Sequence, residues 1–166
     1  MKISQVKTAI KVAEITKGWN IKYSNIDKNI LTDNSGRVYL ITSNGIIKKI
    51  GGSTCKNGIK GTLSPYKSSM KGNPSIRSYG IHILIEKEIE MGNNVEVYMI
   101  TSKVVLASVK GLFTESTIEI AAFKEMEDKC REDFKSIEGK YPEWNFQENA
   151  EKWPEFIREK YEYIKR

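Results

Sequence analysis

Histidine and cysteine are the residues this chain has least of. His82 is the one histidine in 166 residues, so a metal site built on several histidines is excluded. A Ser-His-Asp triad would have to use that same residue, and no serine elbow motif accompanies it. The two cysteines, Cys55 and Cys130, lie far apart and form no zinc cluster by themselves. A reducing, cytoplasmic compartment is therefore expected. No stretch approaches eighteen uninterrupted apolar residues and the N-terminus lacks the apolar run of a signal peptide, so no membrane association is expected. Apolar residues at 39% and charged residues at 29% place the chain with neither disordered nor membrane proteins and suit one domain of ordinary size over residues 1–166.

Acidic residues are missing from a whole third of the chain. Between Asn34 and Ile85 there is no Asp or Glu, while Arg37, Lys48, Lys49, Lys56, Lys60, Lys67, Lys71 and Arg77 all fall there. The net charge is +6, and the rest of the chain, with 19 basic and 21 acidic residues, contributes none of that excess. A solvated basic surface is one reading. A phosphate-binding surface is the favoured one, because a stretch without carboxylates repels a polyanion nowhere along its length.

Hydrophobic spacing supplies the elements. Residues 2–17 read as an amphipathic helix, with Ile3, Val6, Ile10 and Ala13 on one face and Gly18 as its end. After a polar arm to residue 35, Arg37 to Thr42 and Ile46 to Ile50 form a hairpin around Ser43-Asn44-Gly45. The next twenty residues, rich in Gly, Ser and Lys, predict a loop or short helix. Pro74 suits the first turn of a helix running to about Met91, with Gly92 as terminator. Val95 to Ile100 alternates as a strand, and residues 103–113 offer one more. A second long helix is expected over Ser116 to Ile137, on the stripe Phe123, Met126, Cys130, Phe134 and Ile137. The expected fold is α+β: a small, mainly antiparallel sheet flanked by helices, with a core over about 36–137. Residues 1–35 make an N-terminal helix and arm, and 138–166 an aromatic C-terminal embellishment that packs on the core or completes a dimer interface.

The hairpin places Tyr39 and Lys49 across a short turn, followed by Gly51-Gly52, which would let another backbone or a phosphate approach closely. An adjacent ammonium favours the phenolate, which takes a proton from water. The bland alternative is an aromatic ring packed on an aliphatic stem. The residues Gly36-Arg37-Val38-Tyr39-Leu40-Ile41, followed by Lys49-Ile50-Gly51-Gly52-Ser53, resemble the two signature strands of the GIY-YIG nucleases. Lys49 stands where the second tyrosine is usual, a Lys-Ile-Gly variant similar to that of certain small restriction endonucleases. The resemblance continues through Tyr66 in a basic loop, a helix, the strand Val95-Glu96-Val97-Tyr98 and a last helix with a glutamate.

What the resemblance implies is metal-dependent hydrolysis of double-stranded DNA, of type II restriction character, by a homodimer without a nucleotide cofactor. Glu127, at the border of the apolar stripe, would hold one Mg²⁺ or Mn²⁺ per active site, with Glu125 as the second choice. Tyr39 would be the general base, Lys49 would lower its pKa or screen the phosphate, and Tyr66 would bond the phosphate or position the water. The arginine usual after the second strand is missing; Lys60 is nearest in sequence, and Arg77 is the candidate in space. Lys56, Lys60, Lys67, Lys71 and Arg77 are the candidate DNA-binding residues. Residues 1–35 and 138–166 are too short for a separate reader domain, which argues for a restriction enzyme over a homing endonuclease. A mobile-element or repair nuclease of the same family, and a DNA-binding protein without catalysis, are the alternatives. An RNA-binding domain is disfavoured, since no RNA module is present. His82, between Ile81 and Ile83, reads as structural.

Overall fold

The computed structural model describes residues 1–101, 105–120 and 122–165, the side chains at 119 and 120 excepted. Five strands form one antiparallel sheet: β1 (Ile10–Thr16), β2 (Asn20–Tyr23), β3 (Arg37–Ser43), β4 (Ile46–Ser53) and β5 (Val95–Thr101), in the order β2-β1-β5-β3-β4. The sheet places β5 between β1 and β3, and leaves β4 at an edge. Two further strands, β6 (Val105–Lys110) and β7 (Glu115–Ile120), form a separate two-stranded sheet among the described residues. The helices are α1 (Lys28–Thr32), α2 (Gly58–Lys67), α3 (Ile76–Glu90), α4 (Phe123–Glu138) and α5 (Glu155–Ile164).

Alternation along β3 separates two cores. Val38 and Leu40 join Ile47, Ile50 and Phe134 on the face covered by α4 and the N-terminal arm. Tyr39 and Ile41 join the larger core, beneath α2, α3 and the C-terminal aromatics. Trp144, Phe146 and Tyr161 are buried there, so most of the aromatic embellishment is packing; Tyr161 also donates a 2.8 Å hydrogen bond to the Pro74 carbonyl.

Two expectations are corrected. Residues 2–17 contain no α-helix: after a short 3-10 turn at Ile3–Gln5 the chain enters β1 and turns at Gly18–Trp19 into β2. Ile3, Val6, Ile10 and Ala13 do fit a helical face, but Val12 and Ile15, with Ala13, are the buried residues of a strand paired to β5. β-Branched residues lose rotamer freedom in a helix and pack well on a pleated surface, and tertiary pairing decides the ambiguity. The last long helix starts at Phe123, not Ser116; Glu115–Ile120 is β7. Of the expected strand at 103–113, residues 103 and 104 lie outside the described residues, and Val105–Lys110 is β6. The helix after Pro74 ends as read, with Met91 as C-cap and Gly92 at positive φ, but Ser75 is the N-cap and Pro74 precedes it. Among the described residues no helix is long and apolar enough to cross a membrane.

Candidate active site

The cleft is built at the edge strand, where two glycines remove the side chains that would keep the sheet's two faces apart. Tyr39 lies opposite Gly51 in the β3–β4 register, and a Cβ at Gly51 would overlap the tyrosine ring. A Cβ at Gly52 would lie 2.5 Å from Glu127 Oε2 and 3.0 Å from the Phe123 ring. Tyr39 therefore approaches from the face of α2 and α3, Glu127 from the face of α4, and both border one opening. That cleft, of about 260 Å³, is lined by Tyr39, Gly52, Ser53, Thr62, Pro65, Tyr66, Arg77, Ser78 and Glu127. The glycines expected to admit a foreign backbone or a phosphate thus make room first for the protein's own tyrosine and glutamate.

Tyr66 comes from α2, whose buried face is Ile59, Thr62, Leu63 and Tyr66. Arg37, fully buried, anchors the start of that helix. Its guanidinium donates to the carbonyls of Asp33, Ser35, Cys55 and Gly58 and to Thr62 Oγ1, at 2.5–3.1 Å. The far end is held by His82, whose Nδ1 donates to the Tyr66 carbonyl at 2.8 Å while its ring stacks on Trp19. His82, read from its apolar neighbours as structural, is buried and lines no part of the cleft. The hydroxyls of Tyr39 and Tyr66 share a 2.5 Å hydrogen bond.

Burial pushes the Tyr39 phenol well above its ordinary value, with Tyr66 adding to the effect; the Arg77 guanidinium pulls the other way. Burial raises Tyr66 as well. This corrects the expectation of a phenolate favoured by Lys49. In the sheet Lys49 pairs with Ile41, not Tyr39, so it lies two residues along β4 from the position opposite the phenol. It does not line the cleft. Its side chain, 2% exposed, borders a neighbouring hollow of about 280 Å³ with Arg77, Trp144, Phe146, Glu148 and Trp153. Burial, with Arg77 nearby, lowers the Lys49 amine to about 8.

Arg77, in the first turn of α3 and half exposed, lines both hollows. Two partners lie outside the residues singled out from sequence. Arg131 is one turn along α4 from Glu127, Nη1 to Oε1 at 3.6 Å, and Glu148 accepts from Arg131 at 2.5 Å and lies 3.9 Å from Arg77. Burial works against the Glu148 charge, yet Lys49, Arg131 and Arg77 hold its carboxyl below the usual range. The i,i+4 spacing of Glu127 and Arg131 is visible in the sequence; nothing there points to Glu148, which the fold brings from the C-terminal segment. Ser53, Thr62 and Ser78 were likewise not singled out.

The structure thus gathers Tyr39, Tyr66, Arg77 and Glu127, and leaves Lys49 beside them. Lys56, Lys60, Lys67 and Lys71 are exposed and line no part of the cleft; the Lys60 ammonium lies 5.2 Å from the Tyr23 ring centre. Glu125, also exposed, is outside the cleft. Of the eight cations in the acid-free stretch, Arg37 and Lys49 are interior and Lys48 is paired with Glu143 at 2.6 Å. The five that remain are the candidate DNA-binding residues.

No protein-family model matches the chain, and no curated protein sequence does. Solved structures do. The restriction endonuclease HPY188I in complex with product DNA aligns at 19% identity and a TM-score of 0.48, over 81% of this chain and 78% of that one. A mutant of bacteriophage T4 EndoII aligns at 18% identity and a TM-score of 0.56, over 87% of this chain and 98% of that one. The five-stranded antiparallel sheet and its covering helices are, on that alignment, similar to nuclease folds.

Proposed function

We propose that this chain is a metal-dependent endonuclease that hydrolyses phosphodiester bonds of double-stranded DNA, as its resemblance to the GIY-YIG nucleases implies. The observation that carries the reading is the convergence of Tyr39, Tyr66, Arg77 and Glu127 on one cleft at the glycine pair of the edge strand. Those four residues include the resemblance's base, phosphate ligand and metal ligand, together with an arginine in place of the missing one.

Arg77 is the phosphate clamp in this reading. Its planar fork can bond two phosphate oxygens at once, which a lysine cannot, and Glu148 restrains it from the side. Tyr39 takes the proton of the attacking water. Because burial keeps both phenols protonated at neutral pH, the pair works as a relay: Tyr39 passes its own proton to Tyr66 as it accepts one from the attacking water, and Tyr66 hands its original proton to an oxygen of the bound phosphate, so that each phenol ends as it began. Glu127 is the residue to hold Mg²⁺ or Mn²⁺, one ion per site. The donors around it, a carboxylate and the hydroxyls of Ser53, Thr62 and Ser78, are all hard oxygens, and such ions retain much of their hydration. Among the described residues no three His, Cys, Asp or Glu gather at one point, so Glu127 is the one carboxylate this reading assigns to the ion. When bound, the ion supplies Lewis-acid stabilisation of charge on the leaving oxygen.

The finer reading is a sequence-specific type II restriction enzyme acting as a homodimer, since a two-fold pair of sites can address both strands of a palindrome. Incubating the protein with phage or plasmid DNA tests both levels. Discrete fragments in Mg²⁺, none in EDTA, and at least about a 100-fold loss in Glu127→Gln are expected. Retention of DNA without cutting, across Mg²⁺ and Mn²⁺, sinks the catalytic reading; smears in place of discrete fragments sink the restriction reading alone.

A further inference from the structure

Beside the cleft lies the second hollow, of about 280 Å³, which the cleavage chemistry leaves unused although Arg77 lines both. The C-terminal segment builds its walls. Trp144 and Phe146 are buried there, and Trp153, partly exposed, tilts against Phe146 with ring centres 4.5 Å apart. Helix α3 makes room for that indole with Gly80, where a Cβ would fall 2.4 Å from the Trp153 ring. Lys49, almost wholly buried, borders the same space. Among the described residues its ammonium makes no hydrogen bond and no ion pair; burial and surrounding charges alone act on it. A buried donor without an acceptor is costly, so the hollow is short of one.

The lining narrows what can fill it. A bare anion would meet the carboxylates of Glu148 and Glu151, and a metal ion would meet Lys49 and Arg77. A purely apolar group would leave the Lys49 ammonium without its acceptor. A neutral, planar ring that both donates and accepts suits aromatic walls and polar groups of both signs. We propose that the hollow is a subsite for one nucleobase of the DNA strand held by Arg77, turned out of the helix stack; this rests on the endonuclease reading. The volume lies just below the roughly 300–1,000 Å³ of pockets for drug-sized ligands, which suits one base and excludes a base pair. Lys49 donates to a ring nitrogen or carbonyl of the base. Glu148 makes both of its arginine contacts through Oε1, which leaves Oε2 to accept from an amino or ring N–H group. Gln147 and Glu151, both exposed, read the base edge at the rim. Stacking on the aromatic walls offsets the cost of leaving the helix.

The indole N–H signals of the three tryptophans test this by NMR without metal or cleavage. Trp144 and Trp153 border the hollow, while Trp19 stacks on His82 and serves as the internal reference. In EDTA, at least one of the four deoxynucleoside monophosphates is expected to shift the Trp144 and Trp153 signals and leave Trp19 in place. Deoxyribose phosphate and inorganic phosphate are expected to shift neither. Trp153→Ala should weaken nucleotide binding by at least about 5-fold, read at Trp144. Because that indole packs on Gly80, Gln147→Ala/Glu151→Ala, at exposed positions, is the second variant, with a similar loss of about 5-fold expected. No shift with any nucleotide, equal shifts with phosphate alone, or full affinity in both variants overturns the proposal. Plasmid cleavage in Mg²⁺ reports the endonuclease reading separately. Cutting without indole shifts overturns the base subsite alone; shifts without cutting uphold the base site and sink only catalysis.

Discussion

At the residue scale the least comfortable group in the molecule is the Lys49 amine. It is buried against Trp144 and Phe146 beside another cation, Arg77, and its pKa falls to about 8 from the usual 10.5. The unfolded chain holds that proton up to about 10.5, so between those values it binds more protons than the folded one. Stability then rises with pH across this window, and below about 8 the full penalty of a buried charge applies. Lys49→Met is therefore expected to stabilise the protein at pH 7 by about 2 kcal/mol, a rise of roughly 5 °C in Tm. The gain should shrink as the comparison is repeated above pH 8. If Lys49 serves only packing, cleavage survives the substitution; if it screens the phosphate as the resemblance implies, kcat falls while Tm rises. Thermal melts at pH 7 and 9.5 beside a cleavage assay separate those outcomes, and a destabilised Lys49→Met at pH 7 would contradict the burial argument.

At the element scale, placement of Arg77 depends on where α3 begins. The Ser75 hydroxyl accepts from the Ser78 amide at 3.1 Å, satisfying one of the free donors of the first turn in which Arg77 sits. Ser75→Ala is expected to cost about 1 kcal/mol. It should also weaken substrate binding more than Thr32→Ala, a control on the exposed surface away from the cleft, when the two are compared by KM. Equal KM effects would remove Ser75 from the positioning of Arg77. Elements were legible in the sequence where local signals agreed. The hairpin β3–β4 has β-branched runs on both sides of Asn44-Gly45, and α3 has both a stop at Gly92 and a continuous apolar face. β1 was not legible, because its residues satisfy a period of 3.6 as well as a period of 2, and only pairing with β5 decides between them. The start of α4 failed for the same reason: Ser116 to Ile120 extends a helical stripe on paper, yet alternates against β6 in space.

For the whole molecule, the acid-free stretch turns out to have an inside and an outside. Arg37 and Lys49 go in, while Lys56, Lys60, Lys67 and Lys71 stay out. Sequence composition located the positive third of the chain but could not sort its charges, since burial of a cation depends on acceptors that come from elsewhere. Arg37 finds four carbonyls and a hydroxyl only after the loops at 33–35 and 55–58 have closed around it. The same limit hid Glu148, more than twenty residues beyond Glu127 on a different segment. For the four outer lysines the consequence is a salt effect. Replacing them together with alanine should lower the slope of log K against log salt by about 0.9 for each phosphate they neutralise, with little change in preference between DNA sequences. Filter binding over a salt series measures it, and an unchanged slope would take these lysines off the DNA.

One detail of the edge strand reaches further than the site it borders. Asn145 lays its carboxamide along β4, accepting from the Ile50 amide and donating to the Ile50 carbonyl, both at 3.0 Å, and the Trp144 amide donates to the Lys48 carbonyl at 2.8 Å. A side chain here does what a sixth strand would do. The rim that bears Gly51 and Gly52 is thereby closed to strand-by-strand growth from a neighbouring molecule, the route by which exposed sheet edges template fibres. Two glycines without side chains to obstruct such stacking would otherwise make this the most vulnerable edge of the sheet, and the C-terminal segment is its guard.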